Sequence, residues 1–331
     1  MSERPRVWLL LGSRRGDNNQ VLALGEALGL PFETRTMFYK WLARARMKLF
    51  RTSVGHLKSS SRRWLEPPWP DLVIGIGRRT VPVARWIQEQ SGGRTHIVRL
   101  GHPRAPNEWF DLVITTRQYP VLDGDNVVKL PLAMNRFRTP PEPTPDERTW
   151  LDALPRPHLL LSLGGTAPMW RLDLAALHLA AVKLVKRAEQ ADGTLIVVGS
   201  PRTPADAWQV VRAATAGSEC AALIGPKVRY PVLLADADEQ FVTADSVSMI
   251  SEAVISGKPV GLIPVEPDAR GRRRLGPDPQ ETRVRDPRRF WADVEARGLV
   301  GTVDKPKGGK IEDPVETAVA AVKRTLGRLF E

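Results

Sequence analysis

The stretch Thr243–Val260, TADSVSMISEAVISGKPV, carries the local pattern from which the architecture can be read. It starts at the end of an apolar run with strand composition, Gln240–Thr243, and leads into a second one, Lys258–Ile263. Between them Met249, Ile250, Ala253 and Val254 recur at helical spacing, and Ser246 is placed to cap the helix they define, Ser246–Ser256. Strand, polar turn, helix and strand make a β-α-β unit, the repeating piece of a parallel sheet. At that turn the first helical N–H groups have no partner within the helix and the dipole is positive, which suits a diphosphate. Glu252 lies about a turn and a half further on, polar among apolar neighbours. A carboxylate there accepts two hydrogen bonds from a ribose diol. In the plainer reading it meets solvent or an arginine on an ordinary capped helix.

The same alternation extends in both directions. Upstream lie strand His158–Leu163, helix Leu172–Glu189, strand Thr194–Val198 and helix Pro204–Ala213. The N-terminal half offers strands Arg6–Leu11, Phe32–Thr36, Asp71–Ile76, His96–Leu100, Asp111–Thr115 and Asn126–Leu130, with helices Asn19–Leu28 and Thr80–Gln90. Between the halves the Pro-rich, charged run Asn135–Pro157 has linker composition. The expected organisation is an α/β domain over 1–138, a linker over 139–157, a second α/β domain over 158–313 and a closing helix over 314–331. Two such halves joined by a hinge would leave a cleft for a ligand. Arg270–Arg289, basic and broken by prolines, reads as a mobile loop.

At 331 residues the chain is long for one core and fits two domains. The single Cys220 excludes a disulfide framework and a cysteine zinc cluster, which points to a reducing compartment. No apolar run has signal-peptide or membrane-span length, so the expected location is cytoplasmic, peripheral on the cytoplasmic face of the inner membrane. The net charge of +12 is uneven: up to Trp150 there are 24 Lys/Arg against 14 Asp/Glu, and 25 against 23 beyond it. A basic first half implies an anionic partner, whether nucleic acid, a phospholipid surface or a phosphorylated substrate.

Part of that charge is concentrated. Phe38–Leu65 contains eight Lys/Arg and no acidic residue, with Trp41, Phe50 and Trp64 interleaved. As a helix, Phe38–Phe50 would put Trp41 on an apolar face and Arg44, Lys48 and Arg51 on a basic one, a pattern that suits an anionic membrane interface. The alternatives are a helix packed on its own domain and, with no accompanying motif to favour it, a nucleic-acid surface.

Three further turns are candidates for chemistry. Ser162–Pro168, SLGGTAP, follows a strand; Gly164 and Gly165 let backbone approach a phosphate and Thr166 adds a hydroxyl, although adjacent glycines also make ordinary tight turns. Leu9–Gln20, LLLGSRRGDNNQ, lacks the Gly-Lys-Ser/Thr of a phosphate loop and the glycine spacing of a dinucleotide fingerprint. Its Gly12, Gly16, Asn19 and Gln20 nevertheless sit between a first strand and a first helix, and Asp17 is there as a general base or an N-cap. Gly77-Arg78-Arg79-Thr80 follows another strand, with two guanidiniums suited to phosphate or carboxylate unless they are simply exposed. His102, after strand His96–Leu100, is a second candidate base or a structural loop histidine. Asp236-Ala237-Asp238 has the form of a metal-binding pair, but not in the architecture where that pair works; no metal is expected.

The run SVSMISEAVISGKPVGLIP resembles the donor segment of MurG-type GT-B glycosyltransferases. That resemblance implies a GT-B-like fold, two Rossmann-like domains facing each other across a cleft. It implies that Glu252 holds a ribose, that Ser246, Val247 and Ser248 cradle the phosphates together with Gly164, Gly165 and Thr166, and that Asp17 stands where those enzymes carry a histidine base. More broadly, GSRRGDNNQ with LGEALGL, DLVIGIGRRTVPVA, FDLVITT, SLGGT and VTADSVSMISEA resemble the mitochondrial-fission "elongated mitochondria" family of plants and bacteria. The expected function is metal-independent transfer of a sugar from a nucleotide sugar, a UDP-sugar above all, to a membrane-associated, lipid-linked acceptor. The competing expectations are a non-catalytic membrane scaffold that keeps the fold, and a sugar-nucleotide epimerase or hydrolase.

Overall fold

A computed structural model describes residues 4–40, 52–136, 140–223 and 228–331. The chain forms two compact units: Met1–Arg136 together with Glu312–Glu331, and Phe137–Ile311.

The first unit is built on the β-α alternation β1 (Val7–Leu11), α1 (Arg15–Ala27), β2 (Phe32–Thr36), a short α2 (Ser59–Arg62), β3 (Leu72–Ile76), α3 (Val81–Gln90), β4 (His96–Leu100), β5 (Leu112–Thr116) and β6 (Val127–Leu130). All six strands are parallel, in the order β2-β1-β3-β4-β5-β6. The apolar run VWLLL of β1 is buried on both faces, as a central parallel strand requires. Val7 and Leu9 enter one core cluster while Trp8 and Leu10 enter the other, the period-two alternation of a strand. The sheet order reverses direction between β1 and β3, so their C-terminal ends open a crevice.

The second unit runs α4 (Pro145–Asp152), β7 (His158–Leu163), β8 (Trp170–Leu172), α5 (Leu174–Gln190), β9 (Thr194–Gly199), α6 (Ala205–Ala214), β10 (Ala221–Leu223), α7 (Tyr230–Asp236), β11 (Glu239–Thr243), α8 (Val247–Ile255), β12 (Val260–Ile263), β13 (Val265–Pro267), α9 (Ala269–Arg274), α10 (Arg288–Ala296) and β14 (Gly301–Thr302). Its main sheet is again parallel, ordered β10-β9-β7-β11-β12-β14, which is the Rossmann order with the switch point between β7 and β11. The helix α11 (Pro314–Thr325) belongs to the first unit, where Val315, Ala318, Ala321 and Val322 are buried against β-strand residues and α1.

Several expectations need correction. The proline-rich stretch 139–157 is not bare linker: Thr144 and Glu147 form a reciprocal capping box at the start of α4, and Glu147 is clasped by the Arg229 guanidinium. The basic loop Arg270–Arg289 contains most of α9 and the start of α10, with Asp268 capping α9 through the Gly271 amide. The proposed helix Phe38–Phe50 fails at its start, because Tyr39 is bridged to Leu57 in antiparallel fashion. Trp41, Arg44, Lys48, Phe50 and Arg51, the membrane-facing candidates, lie outside the described residues. No described helix is long and apolar enough to cross a membrane.

Candidate functional site

At the switch point of the second unit three loops are tied together by side chains. Thr243 and Asp245 close β11, and both reach across to β7. The Gly164 N–H donates to the Thr243 hydroxyl at 2.8 Å, and the Gly165 N–H donates to the Asp245 carboxylate at 2.9 Å. The Thr243 hydroxyl in turn donates to Asp245 at 2.7 Å. From the β9 end the Ser200 hydroxyl donates to the Gly164 carbonyl at 3.1 Å. These amides are therefore spent inside the chain, which corrects the expectation that Gly164 and Gly165 offer them to a phosphate. The glycines are needed for space. A Cβ on Gly164 would overlap the Asp245 carboxylate, and one on Gly165 would overlap the Arg202 backbone. Thr166 is exposed beyond them. Burial pushes the pKa of Asp245 up against the lowering pull of the Gly165 amide and the Thr243 hydroxyl.

The α8 terminus fits the expected anion site more directly. Ser246 is the N-cap, its hydroxyl accepting from the Met249 amide at 3.4 Å, and the first-turn amides of Val247 and Ser248 have no acceptor within the helix. Glu252 is half-buried, and burial alone raises its pKa to about 7. Among the described residues no hydrogen bond or cation offsets that cost, and no described arginine satisfies Glu252. Tyr230 adjoins both Glu252 and Ser162, and its phenol is pushed up by burial and then by the Glu252 charge. Trp291, on α10, donates its indole N–H to the Ala244 carbonyl at 2.9 Å and packs edge-on against Trp170, fixing the turn from behind.

In the first unit the crevice between the β1 and β3 ends is a cavity of about 490 Å³. Gly12, Asp17, Arg78, Arg79 and His102 all line it; Gly16, Asn19 and Gln20 sit on α1 and do not. Asp17 is in the first turn of α1, whose N-cap is Arg14, so the N-cap reading of Asp17 falls. Asn18 instead locks the loop, exchanging two hydrogen bonds with the Gly12 backbone at 2.8 and 2.9 Å.

His102 is a poor base where it stands. Burial, then Arg104 and Arg99, lower its pKa to about 4, so the ring is neutral at pH 7. Its Nδ1 accepts from the Arg104 amide at 3.0 Å, which leaves the ring proton on Nε2. Its Nε2–H is thereby left as the ring's hydrogen-bond donor at the cavity it lines.

Sequence reasoning missed Tyr39, Arg99, Arg104 and Tyr119 in this cavity. The signal for Arg99 was present: a cation inside the otherwise apolar strand HIVRL must be buried with a purpose. Asp236 and Asp238 do not form an open metal pair. Asp236 takes His158 and Arg156, and Asp238 takes Arg156 and the His158 amide. Among the described residues no group of three or more His, Cys, Asp or Glu is arranged to hold a metal ion.

The chain is similar in fold to a UDP-N-acetylglucosamine 2-epimerase from Listeria monocytogenes, at 14% identity and TM-score 0.55, covering 98% of this chain and 97% of that one. It is comparably similar to Os79 of O. sativa, solved with UDP, at 14% identity and TM-score 0.54, covering 98% and 94%. These likenesses establish a GT-B fold of two Rossmann-like units. In sequence it is 27% identical over 241 residues to the mitochondrial fission protein ELM1 of Arabidopsis thaliana, covering 65% of this chain and 56% of that protein. An uncharacterised protein of Rickettsia prowazekii (strain Madrid E) is 27% identical over 109 residues, 33% of this chain and 30% of the relative. The chain thus spans about half, or less, of the curated relatives it matches. The model of the mitochondrial fission ELM1 family matches residues 15–281, most of the length, and the chain belongs to that family.

Proposed function

We propose that the second unit binds a nucleotide sugar, a UDP-sugar above all, at the β7–β11 switch point, and that the protein transfers the sugar to a membrane-associated acceptor without a metal. The observation that carries this reading is Glu252, a half-buried carboxylate with no hydrogen-bond or cationic partner among the described residues, placed along α8 beyond a helix N-terminus whose first-turn amides have no acceptor within the helix. A ribose diol supplies the two donors that Glu252 lacks, and the α8 amides and dipole stabilise the leaving diphosphate. Solved proteins of this fold support the choice of ligand: the Neisseria meningitidis 2-epimerase is bound to UDP-GlcNAc and Os79 to UDP. Asp17, in the arginine-lined cavity of the first unit, is the acceptor's base, and the basic charge of that half draws the protein to an anionic membrane surface.

Calorimetric titration with UDP and UDP-sugars tests the donor site. Saturable binding, weakened on the order of tenfold or more by Glu252→Ala, supports it. Absence of binding across UDP-sugars sinks it. Diol donation to Glu252 favours its charged form, so affinity rises as pH passes upward through 7 and binding releases protons there. Titrations in buffers of different ionisation heat would show that release in the wild type and not in Glu252→Gln.

The family's fission relative favours a second reading, a scaffold that binds nucleotide without turnover. Donor hydrolysis or transfer that Asp17→Asn abolishes while binding persists speaks against the scaffold.

A further inference from the structure

The first unit's cavity contains an unmatched positive charge that the donor site does not explain. Arg14, Arg78, Arg79, Arg99 and Arg104 line it against one carboxylate among the described residues, Asp17. Arg78 and Arg104 are exposed at the rim, whereas Arg99 is 2% exposed. The Arg99 guanidinium donates to the Gly75 carbonyl at 3.2 Å, the Thr80 hydroxyl at 3.0 Å and the His102 carbonyl at 3.0 Å. All three acceptors are neutral, and the buried Nε has no hydrogen-bond partner among the described residues.

A buried cation hydrogen-bonded only to neutral groups, with the Asp17 charge its one carboxylate neighbour among the described residues, is costly, and the cost falls when an anion arrives. We propose that this cavity binds a phosphoryl group, as a phosphomonoester or a diphosphate, with Arg99 as its buried anchor.

The surroundings are built for that occupant. Arg79 is held over the Tyr39 ring at 4.4 Å, and its carbonyl accepts the His56 Nε2–H at 3.0 Å, so this second guanidinium is set in place beforehand. Gly77 and Gly101 adopt positive φ of 84° and 71°, which turn the β3 and β4 loops sharply at the cavity edge. Neutral His102 adds an Nε2–H donor. Guanidinium forks match phosphate oxygens in pairs, and the number of arginines exceeds what a single carboxylate would use. Burial lowers the Arg99 pKa only to about 10, so the anchor stays charged at neutral pH. The site stands on the first unit alone; only its assignment to the acceptor substrate rests on the transferase reading.

The test is calorimetric titration of the full chain with sodium pyrophosphate and with glycerol 3-phosphate, beside flotation with phosphatidylcholine vesicles containing phosphatidic acid. Binding of either phosphate class to the wild type is expected, weakened on the order of tenfold or more in Arg99→Met. Because loss of a buried arginine can also unfold the sheet, Arg79→Met and Arg104→Ser accompany it, each checked by its melting curve; both are expected to weaken binding while melting normally. Pyrophosphate binding without vesicle binding supports a soluble ligand. Vesicle binding that pyrophosphate displaces supports a lipid-borne phosphate. Phosphate binding that the folded arginine variants keep, or its absence from the wild type, overturns the proposal. If UDP-sugars fail to bind while pyrophosphate binding depends on Arg99, the donor reading falls and this site remains.

Discussion

Glu252 ties a stability effect to a binding effect. The unfolded chain holds its proton up to the ordinary carboxylate value of 4.5, and the folded chain holds it up to about 7. Between those values the folded state binds more protons, so stability falls as pH rises through this window and the full cost is present above 7. Glu252→Gln removes the charge, and urea unfolding at pH 8 should show it more stable than wild type by on the order of 2–3 kcal/mol, with the difference vanishing near pH 4. A second residue-level prediction concerns Gly164. Gly164→Ala forces a methyl into the Asp245 carboxylate and should cost about 1–3 kcal/mol in a melting experiment, while also lowering UDP affinity. Ser246 and Glu252 were legible because their places follow from helix periodicity and capping. Asp245 was not, since its value lies in reaching the Gly165 amide across 80 positions of chain, a relation no local pattern contains. The same holds for Arg99, whose partners come from the β3 end and the following turn.

At the scale of elements, apolar periodicity located the central strands to within a residue or so, because parallel strands buried on both faces leave continuous hydrophobic runs. Short, half-exposed pieces escaped. β8 and β13 pair antiparallel over three residues each, and nothing in WRL or VEP separates them from loop. The helix α4 was legible and passed over: Thr144 followed three residues later by Glu147 is a capping-box spacing, masked by the prolines around it. Thr144→Ala should cost about 1 kcal/mol by chemical denaturation, because the Glu147 amide loses its acceptor.

At the scale of the whole chain, the sequence showed two α/β halves but not the return of the C-terminal segment to the first one. α11 fills the first unit's core with Val315, Ala318, Ala321 and Val322, each fully buried or nearly so. Removal of residues 312–331 should therefore leave the first unit without a cooperative melting transition, since each buried valine contributes about 1.5–3 kcal/mol. Calorimetry of the truncated chain, compared with the full chain, measures this. The split has a further consequence during translation. The first unit begins to emerge from the ribosome before the second, yet it cannot close until residues 312–331 have been made, after the whole of the second unit. At synthesis rates of about 5–20 residues per second, its exposed sheet edge and open core wait roughly 10–40 seconds for the last helix. The half made first is thus the half finished last, and it is during that interval, not in the folded protein, that a nascent-chain chaperone has most to protect.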